Sequence, residues 1–272
     1  MTEANVFLAA FLLYIFAAVL YLLSLLLRKD GAARKGYLLA AAGAGLHTVA
    51  LVLRVFVSSH APFTNMYESL SFLAWVSMTA YLALERRLAI RKAGPFFLLL
   101  VTALMALASS PLMPKEAAPL VPALQSHWLW LHVSVTLVGE AFFAIGTVTS
   151  LLYLAAARRE RPGEAVRSGR DAAHWDAVSY KLIAVGFPLF TLGALVFGMV
   201  WAYRAWGSYW SWDPKEVWSL VTWFLYALYL HTRIAMGWKG RRSAIVAVLA
   251  FLAAMFTFFG VNYLLSGLHS YA

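Results

Sequence analysis

The chain has 272 residues, 62% of them hydrophobic and 12% charged. That balance excludes a soluble globular domain, whose exterior needs far more polar surface. The net charge of +10 does not indicate a nucleic-acid partner, because the basic residues sit in short clusters between apolar blocks, where membrane orientation signals lie. The absence of cysteine rules out disulfides, thiolate metal sites and cysteine nucleophiles.

The apolar blocks are about 20 residues long, the length at which an α-helix crosses a bilayer. They predict eight spans, at roughly 6–27, 37–57, 66–84, 94–110, 128–157, 181–203, 217–236 and 243–267. Only Glu3 is charged ahead of the first block, and Arg28 and Lys29 follow it. This is the reverse of a secretory signal, so the first block reads as a retained helix. The fifth block is long enough to tilt or to project from the membrane.

Basic residues then orient the spans. Arg28, Lys29, Arg34 and Lys35 follow span one, and Arg86, Arg87, Arg91 and Lys92 follow span three. Arg158, Arg159, Arg161, Arg167, Arg170 and Lys181 follow span five, and Arg233, Lys239, Arg241 and Arg242 follow span seven. The alternate connections hold only Lys115, Arg204 and Lys215. This bias, eighteen against three, places the first set in the cytoplasm. Arg54, near the outer end of span two, is expected to snorkel. The fold expected is therefore all-α: a polytopic transmembrane helix bundle with both termini on the non-cytoplasmic side, forming a single integral membrane domain over residues 1–272. The longest cytoplasmic loop, 158–180, reads as polar and small. The outer side carries the 58–65 segment, a stretch at 111–127 with Pro111, Pro114, Pro119 and Pro122 that reads as an irregular lid, the 204–216 segment, and the C-terminus with His269.

The least ordinary segment is Trp206-Gly207-Ser208-Tyr209-Trp210-Ser211-Trp212-Asp213-Pro214-Lys215-Glu216-Val217-Trp218, with four tryptophans and a tyrosine in thirteen residues. One reading is an interfacial aromatic belt. The other is a platform for a flat apolar ligand, with aromatic faces for stacking and Gly207 for close backbone approach. Asp213, Pro214 and Glu216 have a separate account as N-cap, first-turn and N3 residues of the following helix, an acidic form of the capping box.

The histidines form a second set. Ionisable groups inside a membrane are functional suspects, and neutral imidazole is a common metal ligand. His132 falls in the outer part of span five, His269 after span eight on the outer side, His231 towards the cytoplasmic end of span seven and His47 near the middle of span two. His60 and His127 lie in outer segments and His174 in a cytoplasmic loop. A lone histidine is more often a packing residue than a ligand. Two of them flanking a tryptophan platform on one membrane face instead suit haem iron, which takes axial histidines. No His-x-x-His or Glu-x-x-His spacing points to zinc or a di-iron site.

The tryptophan-rich run resembles the signature of the CcsA (ResC) family of cytochrome c biogenesis proteins, within the wider haem-handling superfamily that carries the WWD domain. The resemblance extends to Ser59-His60-Ala61-Pro62 with Asn65-Met66-Tyr67-Glu68-Ser69, which is similar to the family's early external motif. Trp128-Leu129-Trp130-Leu131-His132-Val133 resembles its first external-histidine motif, and Tyr229-Leu230-His231-Thr232-Arg233 its membrane-histidine motif. Gly260-Val261-Asn262-Tyr263-Leu264 and Gly267-Leu268-His269-Ser270-Tyr271 are similar to its C-terminal external-histidine motif. The motifs occur in the family's order and span about residues 45–272, with the tryptophan-rich external segment at 206–218.

The resemblance implies a haem-handling subunit of a system II cytochrome c synthase (haem lyase), active only with its membrane partner CcsB (ResB). Together they move haem b across the membrane and attach it outside to the C-x-x-C-H thiols of apocytochrome c. It implies that His132 and His269 hold iron of an external haem, while Trp206, Gly207, Tyr209, Trp210, Trp212 and Asp213 seat it. It also implies that His231 ligates a haem within the membrane at a site shared with the partner. Catalysis is expected through positioning of vinyls against thiols, since no residue pair suggests acid–base chemistry. The membrane expected is a bacterial plasma membrane or a thylakoid. The alternatives are a haem exporter or chaperone without ligation activity, a membrane haem redox protein, and a regulatory assembly factor.

Overall fold

The structure is a computed structural model and describes all residues except Met1, 117–119, 159–164, 266 and 269–272, with backbone alone at 165–170. It is all-α, with no strand among the described residues. Among the described residues, six helical stretches are long and apolar enough to cross a membrane: Glu3–Leu27, Asp30–Ser58, Arg91–Ser109, His127–Ala157, Asp171–Trp206 and Arg241–Leu264. The helices at the expected third and seventh spans, Met66–Glu85 and Pro214–Ile234, are present but are not among those six. The chain divides into two compact units, Met1–Leu124 and Gln125–Ala272.

The first unit contains α1 (Glu3–Leu27), α2 (Asp30–Ser58), α3 (Met66–Glu85) and α4 (Gly94–Ser109). Small residues let its helices approach closely, as apolar surface alone does little to join helices in lipid. Tyr14 and Tyr21 of α1 lie directly over Gly43 and Gly36 of α2. Tyr81 of α3 stacks on Phe97 of α4 at 5.0 Å. Asn65 caps α3 by accepting from Glu68 N at 2.9 Å. Arg54 does not snorkel. It is 5% exposed and its Nε donates to Glu68 Oε1 at 2.9 Å, while Glu68 Oε2 accepts from Thr64 N. A carboxylate one helix away is a better partner than the headgroup region, and the pair ties the 58–65 segment to α2.

The second unit contains α5 (His127–Ala157), α6 (Ala165–Phe190), α7 (Gly198–Trp206), α8 (Pro214–Ile234), α9 (Arg241–Met255) and α10 (Val261–Leu264). α6 and α7 are one rod joined by a π-helical turn at Thr191–Phe197, and a second wide turn at Phe256–Gly260 joins α9 to α10. The core of this unit is Phe143, Ile183, Phe190, Tyr226, Tyr229, Ala247 and Ala250, with Phe143 stacked on Tyr226. The 158–180 stretch is not simply a loop, since the backbone is helical from Ala165. Its polar face has a tertiary partner: Asp176 accepts from Arg233 at 2.7 Å and from Gly240 N at 2.8 Å. A hydropathy reading stops where the apolar run stops, whereas the helix continues on the strength of those bonds.

Candidate haem site

α5 begins at Ser126, whose hydroxyl accepts from Trp128 N. His132 is thus about 7 Å into the helix at 1.5 Å rise per residue. Its Nδ1 donates to the carbonyl of Gly193 at 2.8 Å, across to the wide turn between α6 and α7. Its ring lies parallel to Trp201, centroids 5.6 Å apart and planes 6° apart. Trp201 in turn meets Trp206 edge-on at 5.0 Å. The structure therefore brings the predicted ligand His132 next to the start of the tryptophan-rich segment, through a tryptophan that sequence reasoning passed over. His127, exposed at the head of α5, instead packs edge-on against Trp130.

The segment itself is built by local rules. Gly207 ends α7 with φ of 77°, a left-handed conformation that glycine takes without strain, and its N–H bonds Tyr203 O. Tyr209 folds back and stacks on Tyr203 at 4.4 Å. Trp210 and Trp212 meet at right angles, 5.8 Å apart. Trp212, with φ of 61°, is 72% exposed, so the segment presents a large aromatic face outward rather than burying it.

The capping box is present at α8. Asp213 Oδ1 accepts from Lys215 N at 2.9 Å, and Glu216 accepts from Asp213 N at 3.3 Å and from Ser211 N at 2.7 Å. Asp213 does more than start the helix. Its other oxygen, Oδ2, accepts from Leu268 N at 2.5 Å, which anchors the chain one residue before His269. Nearby, Lys215 Nζ donates to Asn262 Oδ1 at 2.9 Å, again joining the start of α8 to the end of α10. His269 lies outside the described residues.

His231 is three residues from the end of α8 and is exposed, on the same side as Phe224 and Leu228, while Tyr226, Tyr229 and Thr232 point into the core. His47 is the opposite case: 0% exposed, its Nε2 3.0 Å from Ser71 Oγ, with Phe7 and Tyr14 edge-on to its ring. His60 is buried and donates to Ala61 O, so it shapes the 58–65 turn.

The sequence matches the family model described as Cytochrome C assembly protein over residues 63–269. The chain belongs to that family. It is similar to the cytochrome c biogenesis protein CcsA of Chlamydomonas reinhardtii, 43% identical over 84% of this chain and 66% of that protein. It is also similar to CcsA of Gloeobacter violaceus, 36% identical over 97% of this chain and 94% of that protein. Among solved structures, the cytochrome c haem lyase CcmF superposes with a TM-score of 0.69 over 95% of this chain at 18% identity, which establishes a shared fold. The chain spans 47% of that structure's length, and just under two thirds of the Chlamydomonas protein.

Proposed function

We propose that this chain is the haem-handling subunit of a system II cytochrome c synthase, working with a CcsB-type membrane protein. Haem is its cargo: received within the membrane, passed outward, and presented to apocytochrome c. The observation that carries the reading is the fixed ring of His132. An imidazole that gives its one N–H to a backbone carbonyl keeps a lone pair on the opposite nitrogen, which is the form that binds iron. Beside it, Tyr209 and Trp212 of the 206–212 segment expose their rings as apolar walls for a porphyrin, and the Asp213–Leu268 bond holds the backbone next to His269. These features support an external site with His132 and His269 as ligands and with Trp206, Gly207, Tyr209, Trp210 and Trp212 around the porphyrin.

The covalent step needs little from the protein beyond placement. A thiol adds across a haem vinyl group; the C–S bond forms at one carbon and the proton goes to the other, with no net oxidant. Holding the two groups together in a near-attack geometry, away from water, is the contribution available to this site.

His231 supports a second site, within the membrane. A histidine on the outward face of a spanning helix is costly in lipid unless another group covers it. A partner helix carrying the opposite axial ligand would cover it and complete a membrane haem b. His47 is engaged with Ser71 and sealed by aromatic rings, so it fits a packing role. The topology belonging to this reading has eight spans, both termini and the tryptophan segment outside the cytoplasm, in a bacterial plasma membrane or a thylakoid.

The test is maturation. Co-expression of this chain, a CcsB-type partner and an apocytochrome c in cells lacking their own maturation system should yield thioether-linked cytochrome. Haem bound by the complex without thioether formation would assign it to haem delivery alone. No haem in the complex would overturn the proposal.

A further inference from the structure

We infer that the wide turn at Thr191–Phe197 and Trp201 are positioning devices for His132, setting its tautomer, its basicity and the plane of its ring. The inference rests on the reading of His132 as an external haem ligand.

A carbonyl oxygen only accepts. The 2.8 Å contact from His132 Nδ1 to Gly193 O therefore requires the proton on Nδ1. In a neutral ring the lone pair then lies on Nε2. A hydroxyl partner would leave the tautomer open, because it can donate or accept.

The carbonyl reaches the ring because the helix is wide there. Gly198 N–H bonds back five residues to Gly193 O, the π-helical pattern, instead of four. The extra residue swings the Gly193 carbonyl off its usual axial course, so it serves both Gly198 and His132. Gly193 must be glycine for α5 to pass this close: a Cβ on it would stand 2.3 Å from Thr136 N. The same register brings Gly198 under the ring, where a Cβ would lie 3.1 Å from His132 Nδ1, and sets Trp201 parallel to it. Trp201 is 1% exposed, so it is held by the core and can hold the ring in turn. π-helical turns recur at functional sites, and this one has a stated job: one inserted residue supplies a hydrogen-bond acceptor and a stacking wall to the same imidazole.

The chemical consequence is a stronger ligand. Donation of the far N–H to a carbonyl raises imidazole basicity, and loss of such a partner typically costs about 10–100-fold in metal affinity. A more basic axial ligand favours ferric over ferrous iron, so loss of the bond should raise the reduction potential.

The test uses the purified complex with its CcsB-type partner, carrying His132→Gly, and three added bases. Imidazole and 4-methylimidazole keep an N–H opposite the ligating nitrogen; 1-methylimidazole does not, at the same added bulk as 4-methylimidazole. The low-spin absorption bands should return with the first two. With 1-methylimidazole the apparent affinity should be about tenfold lower or worse, and the potential higher. Equal affinities and potentials for 4-methylimidazole and 1-methylimidazole would overturn the inference while leaving His132 a ligand. A wild-type haem spectrum in His132→Gly with no base added would instead remove the reading beneath it. Trp201→Leu, with the native ligand in place, should broaden the low-spin electron paramagnetic resonance signal as the ring plane becomes heterogeneous, and Trp201→Phe should sharpen it again. A signal unchanged in Trp201→Leu would take Trp201 out of the account.

Discussion

His47 of the N-terminal unit and His132 of the C-terminal unit are both histidines inside apolar helices, yet their surroundings assign them different work. His47 is wholly enclosed, with Phe7, Tyr14 and Ser71 around it, and its polar partner is a hydroxyl. His132 is half-buried, its polar partner is a carbonyl and its ring rests on a buried tryptophan. A ligand must be held firmly on one side and reachable on the other. His132 is held through a carbonyl and keeps part of its surface exposed, whereas His47 is sealed on every side. Burial of a histidine therefore says little about function; the kind of acceptor it meets and its remaining exposure say more.

Substitutions can break this comparison. The largest effect is expected for His132→Gly in the partnered complex: external haem lost, maturation stopped, and both partly restored by imidazole, read by absorption spectrum and haem staining of the cytochrome. His269→Gly should behave alike. His231→Ala should remove the membrane haem and lower haem per chain in a pyridine haemochrome assay. Haem content undiminished in His231→Ala would leave the exposed face of α8 without an explanation.

A smaller effect is expected at Asp213. Asparagine keeps an oxygen for Lys215 N, so α8 stays capped, but its amide turns a donor toward Leu268 N. Asp213→Asn should therefore fold normally and lose maturation several-fold, while Asp213→Ala should also lose the cap, about 0.5–2 kcal/mol of stability. Equal maturation in wild type and Asp213→Asn would show that the Leu268 tether does not matter. The smallest functional effect is expected at His47. His47→Ala should leave haem content and maturation intact and lower stability by about 1–3 kcal/mol, the cost of a cavity and an abandoned Ser71 hydroxyl. Loss of a bis-histidine spectrum in that variant would reverse the comparison.

Much of this was legible in the residues. A helix stands at each expected span, and six of these stretches are long and apolar enough to cross a membrane, because long apolar runs must satisfy their backbone bonds internally. The capping box at Asp213 and Glu216 was legible too, since it is encoded within four residues. What escaped was tertiary. Trp201 reads as one more apolar residue in a span, and only its stacking on His132 distinguishes it. The wide turn depends on Gly193 meeting Thr136, a contact between helices 57 positions apart. The bond from Asp213 to Leu268 spans 55 positions and leaves no local pattern. The helix extension below residue 181 is polar, so hydropathy ended the element at the apolar edge rather than at Ala165.

The central claim, that His132 binds haem iron on the outer face, is tested most directly by changing the ligand atom. The chain has no cysteine, so His132→Cys introduces a single thiolate. In the purified complex with a CcsB-type partner, the external haem should change from nitrogen–nitrogen to nitrogen–thiolate ligation in its ferric absorption and electron paramagnetic resonance spectra. A spectrum identical to wild type at undiminished haem content would contradict the account.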